Sequence, residues 1–328
     1  MKKNISLALA VLIICVTLFC MSACSEKDTG DTDKLSIVTT IFPAYDWTKE
    51  VLGDNAGNVE LTILFDNGVD LHSYQPSADD MAKIATCDMF IFVGGTSDGW
   101  AQETLATAVN KDMVVVNMLD FLGDSVVEED ISDGMEHEHE ESEGKEHEDN
   151  PEDDEHVWLS LKNAEKICTY IAQQLCVIDA GNAAVYTENA EKYNAKLSDL
   201  DSKYKEVVNK ASYNTLLFAD RFPFRYLTDD YGLSYYAAFP GCSAESEASV
   251  KTIAFLAEKI TELNLPAVMI IDGSDGSIAS TVIKTAGGNQ SILTLNSLQS
   301  VTSADIANGA DYISIMESNL EVLKDALN

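Results

Sequence analysis

Short apolar runs rich in β-branched residues alternate with amphipathic stretches through most of the chain. The runs predict strands and the amphipathic stretches predict helices, an alternation typical of α/β domains with largely parallel sheets. In the first half we expect strands at 35–40, 59–65, 89–93 and 113–117, and helices at 45–52, 77–85 and 99–110. Ser77 follows Pro76 and precedes Asp80 by three residues, which predicts an N-cap with an acidic partner, similar to a capping box.

The same alternation returns in the second half. We expect strands at 215–218, 233–238, 267–271 and 291–295, and helices at 246–264, 278–286 and 312–327. Two helical stretches, 161–177 and 182–210, separate the halves, and the second is longer than most globular helices. The predicted fold is therefore α/β: two similar lobes with mostly parallel sheets, joined by a long rigid helix, with a cleft between them. Ligands in such sheets lie beyond the carboxyl ends of the strands.

The amino-terminal segment predicts export. Lys2 and Lys3 precede an apolar run, 5–19, that is shorter than the roughly 20 residues of a spanning helix. The segment that follows resembles a bacterial lipobox, which implies cleavage of residues 1–23 and a lipid on Cys24, although Met21 replaces the usual leucine. An uncleaved anchor helix is the alternative. We assign 24–34 to a tether, 35–160 to the first lobe, 161–211 to a helical linker and 212–328 to the second lobe.

Acidic residues dominate the charge of the chain. There are 55 of them against 21 basic residues, for a formal net charge of -34. This charge repels nucleic-acid backbones and anionic lipid headgroups and attracts cations, so nucleic acid is excluded as an expected partner. The 46% of hydrophobic residues is enough for the cores of two domains.

Residues 128–155 differ in composition from the rest of the first lobe. They are mostly Glu, Asp, His, Gly and Ser, so we expect a mobile, solvated insertion. His137, His139 and His147 lie in it, and with their acidic neighbours they could bind metal weakly and exchangeably. The alternative is that they are only polar residues of a solvated loop.

The two remaining histidines are isolated ones. His72 lies in a loop after the second predicted strand, and His156 lies where the insertion returns to the ordered lobe. A single loop histidine is usually a surface group. Two of them on one rim of a cleft, however, could hold one ion, because neutral imidazole suits zinc and its first-row neighbours.

Three segments carry a resemblance to a known family: 71–77 (Leu-His-Ser-Tyr-Gln-Pro-Ser), 92–95 with Trp100 shortly after, and 155–159 (Glu-His-Val-Trp-Leu). They resemble the metal-binding lipoproteins of zinc and manganese ABC importers, most closely the zinc-uptake type, and the resemblance covers 35–328. It implies that His72 and His156 are the first two ligands and that Zn²⁺, with Mn²⁺ as the other option, is the transported ligand. It further implies a monomer, anchored by lipid outside the bacterial cytoplasmic membrane, that serves an ABC permease and its ATPase.

The rest of the family's site does not carry over cleanly. The family places a His or Glu ten residues before the tyrosine of the Tyr-Gly-Leu segment, where this chain has Arg221, which cannot be a ligand. Asn296 occupies what resembles the position of the manganese branch's aspartate.

Carboxylates could complete the coordination of zinc, which needs about four ligands. We expect Asp220, directly after the fifth predicted strand, and Glu245, in the loop after the sixth, as candidates. Asp220 could instead pair with an arginine, and Glu245 could instead cap the next helix. Cys242 is a soft alternative that we rank below them, because a thiol is a liability in an oxidising compartment.

The sequence leaves two alternative function classes to consider for this chain. One is a surface metal-buffering or adhesion lipoprotein without a transport role, in which Arg221 marks a degraded cleft. The other is an enzyme, but the sequence has no His-Glu-x-x-His, Gly-x-Ser-x-Gly or Walker motif, so we predict no catalysis.

Overall fold

Two four-stranded, all-parallel sheets form the framework of this computed structural model, which describes residues 34–135, 152–243 and 247–328. The first sheet has the order β2-β1-β3-β4 and the second the order β6-β5-β7-β8. The strands are β1 Leu35–Thr39, β2 Val59–Ile63, β3 Met89–Phe92, β4 Val114–Asn117, β5 Thr215–Phe222, β6 Ser234–Pro240, β7 Ala267–Ile271 and β8 Ser291–Leu295. The predicted α/β class with two similar sheets is confirmed.

Helices connect the strands and cover the sheets. They are α1 Phe42–Leu52, α2 Ala78–Thr86, α3 Gly99–Ala106, α4 Met118–Leu122, α5 Leu161–Ile178, α6 Ala183–Lys210, α7 Arg225–Tyr231, α8 Val250–Leu263, α9 Ser277–Ala286, α10 Ser303–Ala307 and α11 Tyr312–Ala326. The Ser77 hydroxyl accepts from the Asp80 backbone N–H while the Asp80 carboxylate accepts from that of Ser77, which confirms the predicted capping box. The long helix is α6, with 28 residues.

One continuous hydrophobic core joins the two sheets. It runs from Ile37 in β1 and Trp47 in α1, through Leu197 in α6, to Met269 in β7 and Leu323 in α11, and all five are buried. A second, smaller core lies between the second sheet and helices α8 and α9. Residues 35–328 accordingly form one compact unit. The predicted boundaries between lobes and linker stay a prediction.

Strand β5 runs four residues beyond its expected end at Phe218. Its pairing with β6 shifts between Phe218 and Arg221, which is a bulge that changes the direction of the side chains there. Asp220 therefore lies inside the strand and not directly after it, so its predicted placement was wrong.

The ends of the acidic insertion are ordered, which corrects the expectation of a solvated segment over the whole of 128–155. Glu128 pairs with Asp153 in an antiparallel bridge, and backbone hydrogen bonds join 129 to 152 and 154 to 127. Asp154 and Glu155 are buried, at 1% and 2% exposure. The two ends pair because each offers backbone groups that the other satisfies.

Across the three described ranges, none of the helices has both the length and the apolar character needed to cross a bilayer.

Candidate metal centre

The candidate site lies where loops from both halves of the chain meet. His72 sits in a short 3-10 turn, Leu71–Ser73, in the loop that follows β2. His156 directly precedes a second such turn, Val157–Leu159, at the return of the insertion. Cys242 follows the end of β6. His72 and Cys242 therefore follow the carboxyl ends of strands β2 and β6, whereas His156 follows the ordered end of the insertion.

Three ligand atoms converge at this point. Nε2 of His72 lies 3.2 Å from Nε2 of His156, and one ring nitrogen of each histidine lies within 4.8 Å of the Cys242 sulfur. Two nitrogens bound tetrahedrally to one zinc at about 2.0–2.1 Å would be about 3.3 Å apart. The spacing of the two imidazoles thus fits a shared metal ion.

Each histidine is oriented through its other ring nitrogen. Nδ1 of His156 lies 2.9 Å from Oδ1 of Asp154, and Nδ1 of His72 lies 2.7 Å from the hydroxyl of Ser97. When Nδ1–H donates in these bonds, both Nε2 lone pairs face the common point. Ser97 is held in turn, because its backbone N–H donates to Glu155 at 2.8 Å.

The protonation of the pair is uneven. Burial, together with the nearby His156, lowers the pKa of His72 to about 3. Burial would also lower the pKa of His156, but the carboxylate of Asp154 outweighs it and raises that pKa. His72 is therefore ready to bind a cation, whereas protons compete more strongly for His156, so metal binding there should weaken as pH falls.

Carboxylates surround the two imidazoles. Oε2 of Glu155 is buried without a hydrogen bond and lies 3.4 Å from Nδ1 of His72. The carboxylate of Asp70 accepts from the backbone N–H of His72 at 2.9 Å. A buried, unpaired carboxylate oxygen is costly, and a cation nearby would offset that cost.

Arg221 is engaged with Asp70. Its Nη2 donates to Asp70 at 2.8 Å, and its Nη1 donates to the Ser243 carbonyl at 3.4 Å. Burial alone would raise the pKa of Asp70, but the positive charge of Arg221 favours the ionised carboxylate, and the pKa of Asp70 is lowered. The arginine thus ties the His72 loop to the loop that carries Cys242.

Asp220 is placed differently from the two histidines. Both of its oxygens accept backbone N–H groups, from Arg221 at 2.9 Å and from Ile271 at 3.3 Å. It lines a cavity of about 770 Å³, together with Asp70, Arg221 and Asp272. Among the described residues, the group of candidate metal ligands contains His72, His156 and Cys242 and does not include Asp220. A ligand role for Asp220 stays a prediction.

Several expected residues fall outside the described ranges: Glu245, the loop histidines His137, His139 and His147, and the lipidation site Cys24. Their predicted roles stay predictions. Asn296 lies at the end of β8, where its side-chain oxygen accepts from the backbone N–H of Leu298 at 2.7 Å.

Sequence reasoning missed the residues that orient the ligands. Asp154, Glu155 and Ser97 were assigned no role, and the first two were included in the solvated insertion. A local pattern could have found Asp154, because both ligand histidines occur as Asp-x-His. In each case the aspartate accepts from the histidine's backbone N–H, at 2.9 Å for His72 and 2.8 Å for His156.

A profile of the family described as "ZnuA: Zinc-uptake complex component A periplasmic" matches residues 37–326. The chain belongs to this family. The high-affinity zinc uptake system protein ZnuA of Bacillus subtilis is 30% identical over 322 residues, which cover 97% of both chains.

The zinc-binding lipoprotein AdcA of Streptococcus pneumoniae strain R6 is 36% identical over 326 residues, covering 98% of this chain. This chain spans 60% of the length of that relative. A crystal structure of the Zn(II)-bound ZnuA-like domain of pneumococcal AdcA matches with a TM-score of 0.69 at 30% identity, covering 90% of this chain and 99% of that one.

The laminin-binding protein of Streptococcus agalactiae, described as having adhesin and metal-transporting activity, matches with a TM-score of 0.71 at 23% identity, over 90% of this chain and all of that one. That likeness shows a common fold only. The family membership confirms the resemblance that the three segments predicted.

Proposed function

We propose that this chain is an exported substrate-binding lipoprotein that captures zinc outside the cytoplasmic membrane and delivers it to an ABC permease. The observation that carries the proposal is the pair of imidazoles with Nε2 atoms 3.2 Å apart, that of His156 fully buried and that of His72 9% exposed, each oriented by a partner at Nδ1. The membership in the zinc-uptake family and the zinc-bound state of a relative's matching domain support it.

Zinc is favoured over manganese by the donor atoms. Imidazole and thiol groups suit zinc, whereas manganese favours carboxylate, carbonyl and water oxygens. Mn²⁺ would have to draw its oxygen ligands from Asp70, which is engaged with Arg221, or from Glu155, of which one oxygen accepts from Ser97 and only Oε2 has no hydrogen bond. Zinc is here the cargo of the protein and takes part in no reaction, so we propose no enzymatic activity.

The proposal also covers the lipid anchor, the ATPase partner and the acidic insertion. A lipid on Cys24 would hold the monomer at the outer face of the membrane, and an ATPase would drive the permease. Residues 136–151, with their three histidines, would collect metal weakly and raise its concentration near the cleft. No observation on the described residues favours the adhesion or buffering alternative, since the adhesin relative shares only the fold.

Uptake of radiolabelled zinc at limiting supply tests the transport role. We expect cells that lack this chain to take up less zinc, the intact chain to restore uptake, and the His156→Ala variant to fail despite equal expression. Normal uptake in cells without the chain would contradict a transport role and would favour the buffering or adhesion alternative.

A further inference from the structure

In this chain, the family's pattern of ligands leaves the site without a third protein donor. Arg221 stands where the family supplies a ligand, and its guanidinium has no lone pair to offer. His72 and His156 alone would leave half of a tetrahedral zinc shell to water. A third protein ligand must therefore come from another of the described side chains that surround the two imidazoles.

Cys242 meets the geometric requirement. Its sulfur belongs to the one group of candidate ligands among the described residues, within 4.8 Å of both histidine nitrogens. A sulfur and a nitrogen bound tetrahedrally to one zinc at about 2.3 and 2.0–2.1 Å are about 3.6 Å apart. Because the ligand atoms are at most 4.8 Å apart, the sulfur and the nitrogens would need to approach each other by about 1.2 Å at most, which an adjustment of side chains can supply. The thiol is free of any disulfide.

The loop that carries Cys242 is fixed on several sides. The backbone N–H of Cys242 donates to Glu129 at 3.0 Å, and Gly241 packs directly against the His156 ring. Arg221 holds the next residue, because its Nη1 donates to the Ser243 carbonyl while its Nη2 binds Asp70. The arginine that replaces a ligand thus links the cysteine loop to the loop of His72.

The charge around the sulfur also fits a cation. His156 is fully buried, and Oε2 of Glu155, on a side chain 3% exposed, has no hydrogen bond and faces the His72 ring. Burial raises the pKa of the Cys242 thiol, and the negative charges of Glu129 and Asp154 raise it further, which favours the neutral S–H when no metal is bound. A divalent ion would offset these charges and take the thiolate as its ligand.

We propose that Cys242 is the third protein ligand of the zinc site, replacing the donor that the family places at the position of Arg221. This inference rests on the proposed function. On binding, the S–H bond of Cys242 breaks, a sulfur–zinc bond forms, and the proton leaves to solvent. Arg221 acts as a positioning residue, and water completes the shell.

Cobalt tests the sulfur ligand directly, because Co²⁺ can replace zinc at such sites and a thiolate ligand gives it a charge-transfer band in the near ultraviolet. We expect this band when the full chain is titrated with Co²⁺, its persistence in Cys176→Ser, and its loss in Cys242→Ser. Cys176 is a matched control, being a partly buried free thiol on α5. A band of equal strength in Cys242→Ser would overturn the inference.

Zinc affinity, measured by competition with a chelator, gives a second readout. We expect Cys242→Ser to lower the zinc affinity about 100-fold or more, with near-ultraviolet circular dichroism unchanged. Loss of a ligand should cost at least as much affinity as the largest losses that follow removal of a residue that only orients a ligand. Equal affinity in Cys242→Ser, together with loss of binding in His72→Ala, would refute the cysteine ligand and leave the proposed function intact. Tight binding retained in His72→Ala would instead refute the proposed function.

Alkylation of the unsubstituted chain avoids any folding defect of a variant. We expect stoichiometric zinc to slow the reaction of iodoacetamide with Cys242 while Cys176 reacts at the same rate with and without zinc, as followed by peptide mass spectrometry. Equal rates at Cys242 with and without zinc would contradict a zinc–thiolate bond.

Discussion

At the scale of single residues, the site depends on what the imidazole rings touch. The side chain of His156 is enclosed on one side by Asp154 and on another by Gly241, whose backbone leaves no room for a methyl group. Tight enclosure fixes the direction of Nε2, and a fixed direction is what allows two histidines to share an ion.

Gly241→Ala tests this enclosure. A Cβ at that position would lie 2.9 Å from Cε1 of His156 and 2.9 Å from the Phe222 carbonyl oxygen, so the ring or the loop must shift. We expect zinc affinity to fall about tenfold and the free energy of unfolding to fall by about 1–3 kcal/mol. Zinc competition titrations and denaturant unfolding measure the two effects.

Gly99→Ala is the matched control, because a Cβ there meets nothing within 4 Å. Equal zinc affinity in both variants would show that the His156 ring is not held by its contact with Gly241.

The sequence indicated the two histidines more readily than the residues that orient them. His72 and His156 stood out because isolated histidines in loops are few and their flanking segments match a family pattern. Asp154 and Glu155 could not be separated from the acidic run before them, since composition does not tell a buried carboxylate from a solvated one. Cys242 was ranked below Asp220 because a free thiol is a liability in an oxidising compartment. No sequence pattern shows the register shift in β5, so the position of Asp220 inside that strand could not be predicted.

At the scale of elements, one carboxylate connects three helices around the core. Asp46 in α1 accepts the backbone N–H of Tyr312, the first residue of α11, at 2.9 Å, and its Oδ2 lies 3.5 Å from the hydroxyl of Tyr193 in α6. Burial raises the pKa of Asp46 from 3.8 to about 6. Folding therefore favours the protonated form of Asp46 relative to the unfolded chain.

Asp46→Asn should remove the resulting pH dependence. Between about pH 4 and 6 the folded chain holds a proton at Asp46 that the unfolded chain has lost, so this residue's contribution to the free energy of unfolding falls as pH rises. The asparagine variant has no such loss, so its stability relative to the unsubstituted chain should rise by about 2–3 kcal/mol from pH 4 to 7. Urea unfolding across that range measures the difference.

Asp305→Asn provides a control of opposite sign. Hydrogen bonds from Thr302 lower the pKa of Asp305, so its stabilising contribution is present at neutral pH and is lost on acidification. That variant should be less stable at pH 7, and the deficit should shrink as pH falls. A constant difference for Asp46→Asn over pH 4 to 7 would contradict the assignment of a protonated buried carboxyl.

The elements themselves were largely predictable. Strands β7 and β8 have the predicted bounds, because short β-branched runs between turn residues leave few alternatives. The end of β5 was not predictable, because Asp220 and Arg221 are polar and their place in the sheet depends on pairing with β6. Helix α8 begins at Val250 and not at Ser246, since Ser249 accepts from the Thr252 backbone N–H and caps it.

At the scale of the whole molecule, both sides of the cleft rest on one hydrophobic core. Trp158, two residues after His156, donates its indole N–H to the Ser297 carbonyl at 2.9 Å, and its own carbonyl accepts from Tyr312 at 2.7 Å. The loop of a first-half ligand is therefore anchored to the second sheet. Opening the cleft at His156 would disturb this buried packing.

The described ends of the acidic insertion, 128–135 and 152–155, can be tested separately from its middle. Replacing 136–151 with a short Gly-Ser linker keeps Glu129, Asp154 and Glu155, whereas deletion of all of 128–155 would remove the support of His156. We expect the shorter deletion to leave the tight zinc site unchanged, to remove additional weak sites, and to reduce uptake at limiting zinc.

Calorimetry and uptake measurements on the shorter deletion check these three results. Unchanged uptake at limiting zinc would contradict the collecting role of the insertion, and loss of the tight site would place that site in the insertion.

The central claim is that His72 and His156 together hold the zinc that this protein captures. Its most direct test is a calorimetric zinc titration of the full chain in parallel with His72→Ala, His156→Ala and the insertion variant His147→Ala. We expect one tight zinc site per chain that is lost in His72→Ala and His156→Ala and unchanged in His147→Ala. A tight site that persists in His72→Ala and disappears in His147→Ala would contradict the central claim.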